Sequence, residues 1–313
     1  MGWRGGFSQG VGSPVNGVRP YPRYHGNVIH PPSEADSLIL QVMYGCSYGK
    51  CAFCGSYMGK AFRLRAMDAI KEDIQGLEEG LKQNVTRVFL CDGDALALPL
   101  PRMIDILDAL RAELPRLARV SAYANPHSLQ PLPLDELQEM REHGLELLYV
   151  GLESGDDTTL LQCGKGLSSA QLTRAFLKAK EAGFDLAVTA ILGLGGKERS
   201  AQHARATGQA LSTIDPQHIG MLTLTVEPGT RVEEWIRRDR FTVPDAQGLL
   251  RELREVVAET NVTQAVFRTD HASDCLPLGG TLPDDKQAML DKLDDALAQG
   301  GQAPGRPEDP RAL

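Results

Sequence analysis

The sequence predicts an α/β fold built on a parallel sheet, and three observations carry that prediction. Apolar runs of strand length alternate with helical periodicity through six successive units. Glycines fall where helices should end, as at Gly144 and Gly183. Three cysteines, Cys46, Cys51 and Cys54, directly follow the first apolar run, where the loops of a parallel α/β fold build their sites. Six units are fewer than the eight of the usual closed barrel, and the series is continuous enough for one domain.

Taken in order, residues 1–35 are rich in Gly, Pro and polar side chains and read as a surface arm, disordered at its start. The run 38–43 (LILQVM) is a buried strand ending at Tyr44-Gly45. Ile70, Ile74, Leu77 and Leu81 form one stripe of a helix over 66–82. A second strand is expected at 88–90 and a second helix at 103–114. Further strands follow at 118–123, 146–152, 185–192 and 218–224, with helices at 134–142, 168–182 and 199–213 between them. Alternation of this kind places the helices outside a parallel sheet. Segment 231–300 reads as helix 244–259, a short strand 264–268, a loop and helix 283–298, and 301–313 as a solvated, disordered tail.

Composition narrows the function. At 313 residues the chain buries a substantial core, and 42% hydrophobic with 24% charged residues is a globular profile. The formal charge of −8 disfavours nucleic acid as the main partner, because a duplex-binding protein carries a basic surplus. No apolar run is long enough to cross a bilayer and no signal peptide is evident, so the expected location is the cytoplasm.

Six cysteines are present, and Cys91, Cys163 and Cys275 are scattered while the other three lie within nine residues. That is a poor disulfide framework and a good soft-metal site. Buried core thiols are one alternative, and a structural zinc site or an electron-carrier cluster another, although both of the latter normally take four protein ligands. His25, His30 and His127 are the nearest histidines and none lies at a familiar zinc spacing. Three thiolates on a four-iron cluster leave one iron without a protein ligand, which is the chemically useful arrangement.

Here the chain resembles the radical S-adenosylmethionine (SAM) superfamily. That family's cysteine loop follows strand one of a six-unit βα partial barrel and carries an aromatic residue before the third cysteine, a place that Phe53 fills. The usual spacing is C-x3-C-x2-C, whereas this chain has four residues between Cys46 and Cys51. The stretch from Gly45 to Arg65 is similar to the group with an oxygen-independent coproporphyrinogen oxidase-like or methylthiotransferase-like core. The resemblance covers roughly 36–230 and implies a partial (β/α)6 TIM-like barrel, with 231–300 as a helical extension over its mouth.

Further motifs match. Gly93 and Asp94 occupy the turn whose backbone and carboxylate, by resemblance, receive the methionine ammonium of SAM, since carbonyls and a carboxylate favour a cation. Glu153 and Ser154, in GLESG, are similar to the ribose-contacting motif, and the same run also reads as a helix cap. Ile191 and Gly193 resemble the element supporting adenine: an apolar side chain covers a base face, and glycine lets the backbone approach. The glycine-rich run 193–196 lacks the GK[ST] and GxGxxG patterns of nucleotide-binding loops. Thr230 and Arg231 follow the sixth strand, where the family builds a wall of the site.

The implied cofactors are a 4Fe–4S cluster held by Cys46, Cys51 and Cys54, and S-adenosylmethionine. The implied reaction is reductive cleavage of SAM to a 5′-deoxyadenosyl radical that takes hydrogen from a substrate, with electrons from a flavodoxin or ferredoxin. No auxiliary cysteine cluster, cobalamin-binding module or basic RNA-binding module is evident, so a small-molecule substrate is expected. The loop 267–280 carries His271, Ser273 and Cys275; His271 is the candidate proton donor and Cys275 the candidate hydrogen-atom donor. The alternative is a non-catalytic metal-binding protein or iron–sulfur electron carrier.

Overall fold

The computed structural model describes residues 21–269 and 276–300. Its strands are β1 (Leu38–Gln41), β2 (Met43–Tyr44), β3 (Arg63–Leu64), β4 (Arg87–Cys91), β5 (Arg119–Ala124), β6 (Leu145–Glu153), β7 (Asp185–Leu192), β8 (His218–Thr223), β9 (Ala265–Arg268) and β10 (Gly279–Leu282). The helices are α1 (Met67–Gln75), α2 (Glu79–Lys82), α3 (Leu100–Glu113), α4 (Pro126–Leu129), α5 (Leu134–Glu142), α6 (Asp157–Gln162), α7 (Ser169–Glu181), α8 (Gly196–Ile214), α9 (Arg231–Arg237), α10 (Ala246–Glu259) and α11 (Lys286–Ala298).

Eight strands form one sheet in the order β1-β4-β5-β6-β7-β8-β9-β10. All neighbours from β1 to β9 are parallel, and β10 returns antiparallel to β9. This is the expected α/β class, in the form of a partial barrel. Its strands are apolar on both faces because both are covered. Val88 and Leu90 of β4 face the helices, where they join Ile106, Leu107 and Leu110 of α3 in the large outer core. Phe89 and Cys91 face inward with Leu147, Tyr149 and Ala187, against Val28, Ile39 and Tyr123.

Three departures from the sequence reading have local causes. The helix expected over 66–82 breaks at Gly76, where a side chain would collide with the Tyr21 ring. The first strand leaves the sheet after Gln41, and β2 pairs with β3 in a separate two-stranded ribbon that lifts the cysteine loop. Segment 231–300 lengthens the sheet: β9 joins the β8 edge and the unforeseen β10 pairs with it, while α10 packs on α8 and α11. β10 carries the sequence Gly-Gly-Thr-Leu, whose first three residues offer no apolar alternation to read.

The arm closes the other side. Tyr24 Oη donates to the Ile39 carbonyl at 2.8 Å, and the Gln41 side chain pairs with both backbone groups of His25, at 2.8 and 3.2 Å. Below, the short 3-10 turn Pro32–Glu34 buries the Glu34 carboxylate, which accepts from Tyr149 Oη and Arg119 Nη2, both at 2.7 Å, and from Ser37. A buried carboxylate needs such partners.

Candidate functional site

The cysteine loop leaves β2 through Gly45, whose φ of +71° and 2.8 Å approach to the Lys60 carbonyl leave no place for a side chain. Cys46, Cys51 and Cys54 are half-buried, whereas Cys91 and Cys163 are buried. Four neighbours hold the loop. The Gly93 N–H donates to the Gly45 carbonyl at 3.1 Å, and the Gly45 N–H to Asp92 Oδ2 at 3.2 Å. The Ala52 N–H donates to the Cys163 carbonyl at 2.7 Å, and the Val232 N–H to the Ala52 carbonyl at 3.1 Å. Tyr48 stacks on His127 at 3.8 Å and donates to the Gly164 carbonyl at 2.8 Å. The loop is therefore positioned from β4, α4, α6 and α9.

Gly93 lies against the loop itself: a Cβ there would stand 2.9 Å from the Tyr57 ring and 3.0 Å from Cys46 Cβ. Asp94 is fully buried and turned inward. It accepts from Ser128 Oγ at 2.5 Å, from the Asn125 N–H at 2.9 Å and from Ser47 of the cysteine loop. Burial raises its pKa against those hydrogen bonds. Asn125 in turn points Nδ2 at Cys46 Sγ, 3.4 Å away. Asp94 thus ties β4, β5 and the cysteine loop together, a role that the sequence did not suggest.

At the end of β6, Glu153 has a φ of +63°. Its Oε1 accepts from Lys165 Nζ at 2.9 Å. Lys165 is 5% exposed, so an ammonium is held inside the site. Burial alone would depress its pKa, yet Glu153 and Cys51 outweigh burial and raise it. Ser154 faces the other way. His203 Nε2 meets the Ile191 carbonyl at 3.0 Å and so carries the ring proton, leaving Nδ1 to accept from Ser154 Oγ at 2.7 Å. Burial pushes the His203 pKa down to about 4, consistent with a neutral ring. One histidine therefore joins the ribose-like and adenine-like elements.

Ile191 and Phe53 share an apolar cluster with Ala52, Leu194, Leu222 and Leu224, so the structure brings these two together. Gly193 has a φ of +81°, and its N–H donates to Glu252 Oε2 at 2.5 Å. Thr230 caps α9, and Arg231 lines a cleft of about 330 Å³ beside Cys51 and Cys54. His271, Ser273 and Cys275 lie outside the described residues. Lys165, Asn125, His203 and Glu252 were not read from the sequence. Of these only Asn125 had a signal, its place at the C-terminal end of a strand.

The donor set fits a cluster. Three thiols sit in one half-buried loop, and burial pushes the Cys51 pKa up to about 12, a cost that iron bound to the thiolate would offset. Among the described residues no three His, Cys, Asp or Glu side chains are grouped for a single metal ion. Thiolates on separate irons of a cluster stand farther apart than the ligands of one ion.

Residues 40–205, more than half of the chain, match the radical SAM superfamily. The chain belongs to that superfamily. Radical SAM proteins use a 4Fe–4S cluster and S-adenosylmethionine. The heme chaperone HemW of Bacillus subtilis is 21% identical over 175 residues, 56% of this chain and 46% of its own. An uncharacterized methyltransferase of Pyrococcus horikoshii is 26% identical over 202 residues, 63% of this chain and 41% of its own. This chain spans less than half the length of either. Among solved structures, the radical SAM coproporphyrinogen III oxidase of Escherichia coli shares the fold, with a TM-score of 0.55 at 17% identity over 71% of this chain and 51% of that one. No helix among the described residues is long and apolar enough to cross a membrane.

Proposed function

We propose that the chain is a radical SAM enzyme acting on a small molecule, with Cys46, Cys51 and Cys54 holding the cluster. The observation that carries this reading is the convergence on one half-buried cysteine loop of the β4 turn and of the turn after α6 at Cys163 and Gly164, with Phe53 of the loop in the same apolar cluster as Ile191 of β7. When bound, the cluster and SAM supply one-electron cleavage of a carbon–sulfur bond and hydrogen-atom abstraction from substrate.

The chain's own residues bind and orient. Phe53 and Ile191 offer apolar surface for adenine, and Gly193, with its positive φ, lets the chain turn beside it. Glu153 offers a carboxylate oxygen to ribose hydroxyls, and its partner Lys165 presents an ammonium for the methionine carboxylate. The β4 turn receives the methionine ammonium through its backbone, since the Asp94 carboxylate is engaged by Ser47, Ser128 and Asn125. Asp94 acts through the loop it braces. The Glu34 turn closes the lower end of the barrel, which supports a small substrate entering from the cysteine-loop side.

Anaerobic reconstitution with iron and sulfide, followed by dithionite, tests the reading. Formation of 5′-deoxyadenosine and methionine is expected. Cluster absorbance without SAM cleavage would instead favour the electron-carrier alternative, and a heme-handling role like that named for the Bacillus subtilis relative is checked by heme titration.

A further inference from the structure

One row of residues crosses the inner face of the sheet almost without side chains. Gly151 of β6 pairs with Thr189 of β7, Thr189 with Gly220 of β8, Gly220 with Arg268 of β9, and Arg268 with Gly279 of β10. Their chain neighbours Val150, Val188, Ile219 and Phe267 belong to the outer core, so strand alternation turns the row toward the barrel interior. Three of the five are glycines, and the row is a trough. At one end the Glu153–Lys165 pair lies over Gly151, where a Cβ would collide with Glu153 Oε1 and stand 3.1 Å from Lys165 Nζ. At the other the Arg268 guanidinium lies over Gly279, where a Cβ would collide with Nη1. Between them Gly220 is open, since a Cβ there would meet only Thr189 Cγ2, at 3.4 Å. Three strand intervals separate Gly151 from Arg268, on the order of 14 Å along the sheet.

Arg268 is exposed, and among the described residues it forms no ion pair. Lys165 and Arg119, which also reach the interior, are paired with Glu153 and Glu34 at 2.9 and 2.7 Å. His218, two residues before Gly220 on the same face, has its pKa lowered by burial and is neutral. Arg268 therefore brings an uncompensated positive charge to the trough, from a strand beyond the 40–205 segment. We propose that the trough holds the substrate, a small molecule whose carboxylate pairs with Arg268 while its body lies over Gly220. The proposal names a substrate class for the radical SAM reading above and rests on it. Ile191 and Leu222, paired in the next row of the same face, give that body an apolar border. The planar guanidinium fork matches the two oxygens of a carboxylate. A phosphate ester fits less well, because the N–H groups of neighbouring strands are spent in the sheet ladder and offer no anion-binding nest.

The probes are benzoate, benzamide and phenyl phosphate, which share a ring and differ in head group. Each is titrated calorimetrically into the reconstituted full chain, with its cluster oxidised and SAM present. Benzoate is expected to bind, to lose about tenfold in affinity in R268Q, and to recover part of that loss in R268K. Benzamide should bind more weakly and ignore R268Q. G220V should lose both ligands, because valine fills the trough while its Cβ meets only Thr189. Iron content and thermal midpoint near wild type in each variant confirm an intact fold, and G220A replaces G220V if the latter unfolds. Benzoate that fails to bind wild type, or binds R268Q equally, overturns the carboxylate site. Phenyl phosphate binding more tightly than benzoate overturns the carboxylate assignment in favour of a phosphate ester. The enzyme reading is tested separately on wild type by reduction with dithionite. Absence of 5′-deoxyadenosine there overturns that reading and the substrate role together, whereas SAM cleavage with benzoate binding indifferent to Arg268 overturns the trough alone.

Discussion

Glu252 accepts the Gly193 N–H at 2.5 Å from α10, a helix beyond the segment that matches the superfamily. Burial pushes its pKa up to about 7 against the hydrogen bonds from the Gly193 N–H and Ser200. A carboxyl group in that position holds the adenine-like turn from behind. The neighbouring His203, with its pKa near 4, holds Ile191 of the same turn.

The two groups affect stability with opposite signs. Glu252, raised from 4.5 to about 7, contributes stability that is full below its unfolded pKa and lost as pH rises through about 7. His203, lowered from 6.5 to about 4, contributes stability present above 6.5 and lost as pH falls toward 4. Between about pH 4.5 and 6.5 the slopes oppose each other. Urea unfolding of E252Q should therefore reveal the histidine slope, with stability rising with pH by on the order of 3 kcal/mol across that window. The same pH profile in wild type and E252Q would count against it.

Single changes of Cys46, Cys51 or Cys54 to Ala should abolish cluster retention. Alanine at Cys91, Cys163 or Cys275 should preserve it, since none of the three belongs to the cysteine loop and the first two are buried. Iron and sulfide analysis after anaerobic reconstitution measures this. Near wild-type iron in a Cys51→Ala protein would remove the assignment.

Asp94→Ala leaves Ser47, Ser128 and the Asn125 N–H without their shared acceptor, each a buried or half-buried donor. Leaving one such group unsatisfied costs about 1–3 kcal/mol. Cluster retention and SAM affinity should fall together in this variant, as Asn125 reaches Cys46 Sγ. A loss of SAM affinity with full iron content would mean that the carboxylate contacts SAM directly.

Gly155→Ala should unfold the protein more readily than any change at the cysteines. A Cβ at Gly155 would stand 2.0 Å from the Ala206 carbonyl of α8, a backbone atom with nowhere to go. A drop of several kcal/mol is expected from such overpacking. Thermal unfolding within a degree or two of wild type would show that α8 yields at that point.

The sequence alone determined the α/β class, the series of six strand–helix units and the shared loop of three cysteines, and it pointed to candidate site elements at the ends of β4, β6 and β7. These are local signals: hydrophobic periodicity reports which face of an element is buried, and close cysteine spacing reports a shared loop. Segment 185–192 was read with the bounds that β7 has, because both its faces are buried and its run is unbroken. The tertiary structure alone decided the partners. Ser154 turns to His203, 49 residues away, and Glu252 reaches Gly193 across 59 residues. Asp94, read from the sequence as a group for the cofactor, accepts hydrogen bonds from Ser47, Asn125 and Ser128. Lys165 lies between two glycines that carry no signal of burial, yet its ammonium is buried beside Glu153. A residue's charge is written in the sequence, but whether water or a distant side chain compensates it depends on how the chain packs, and burial makes that choice energetically decisive.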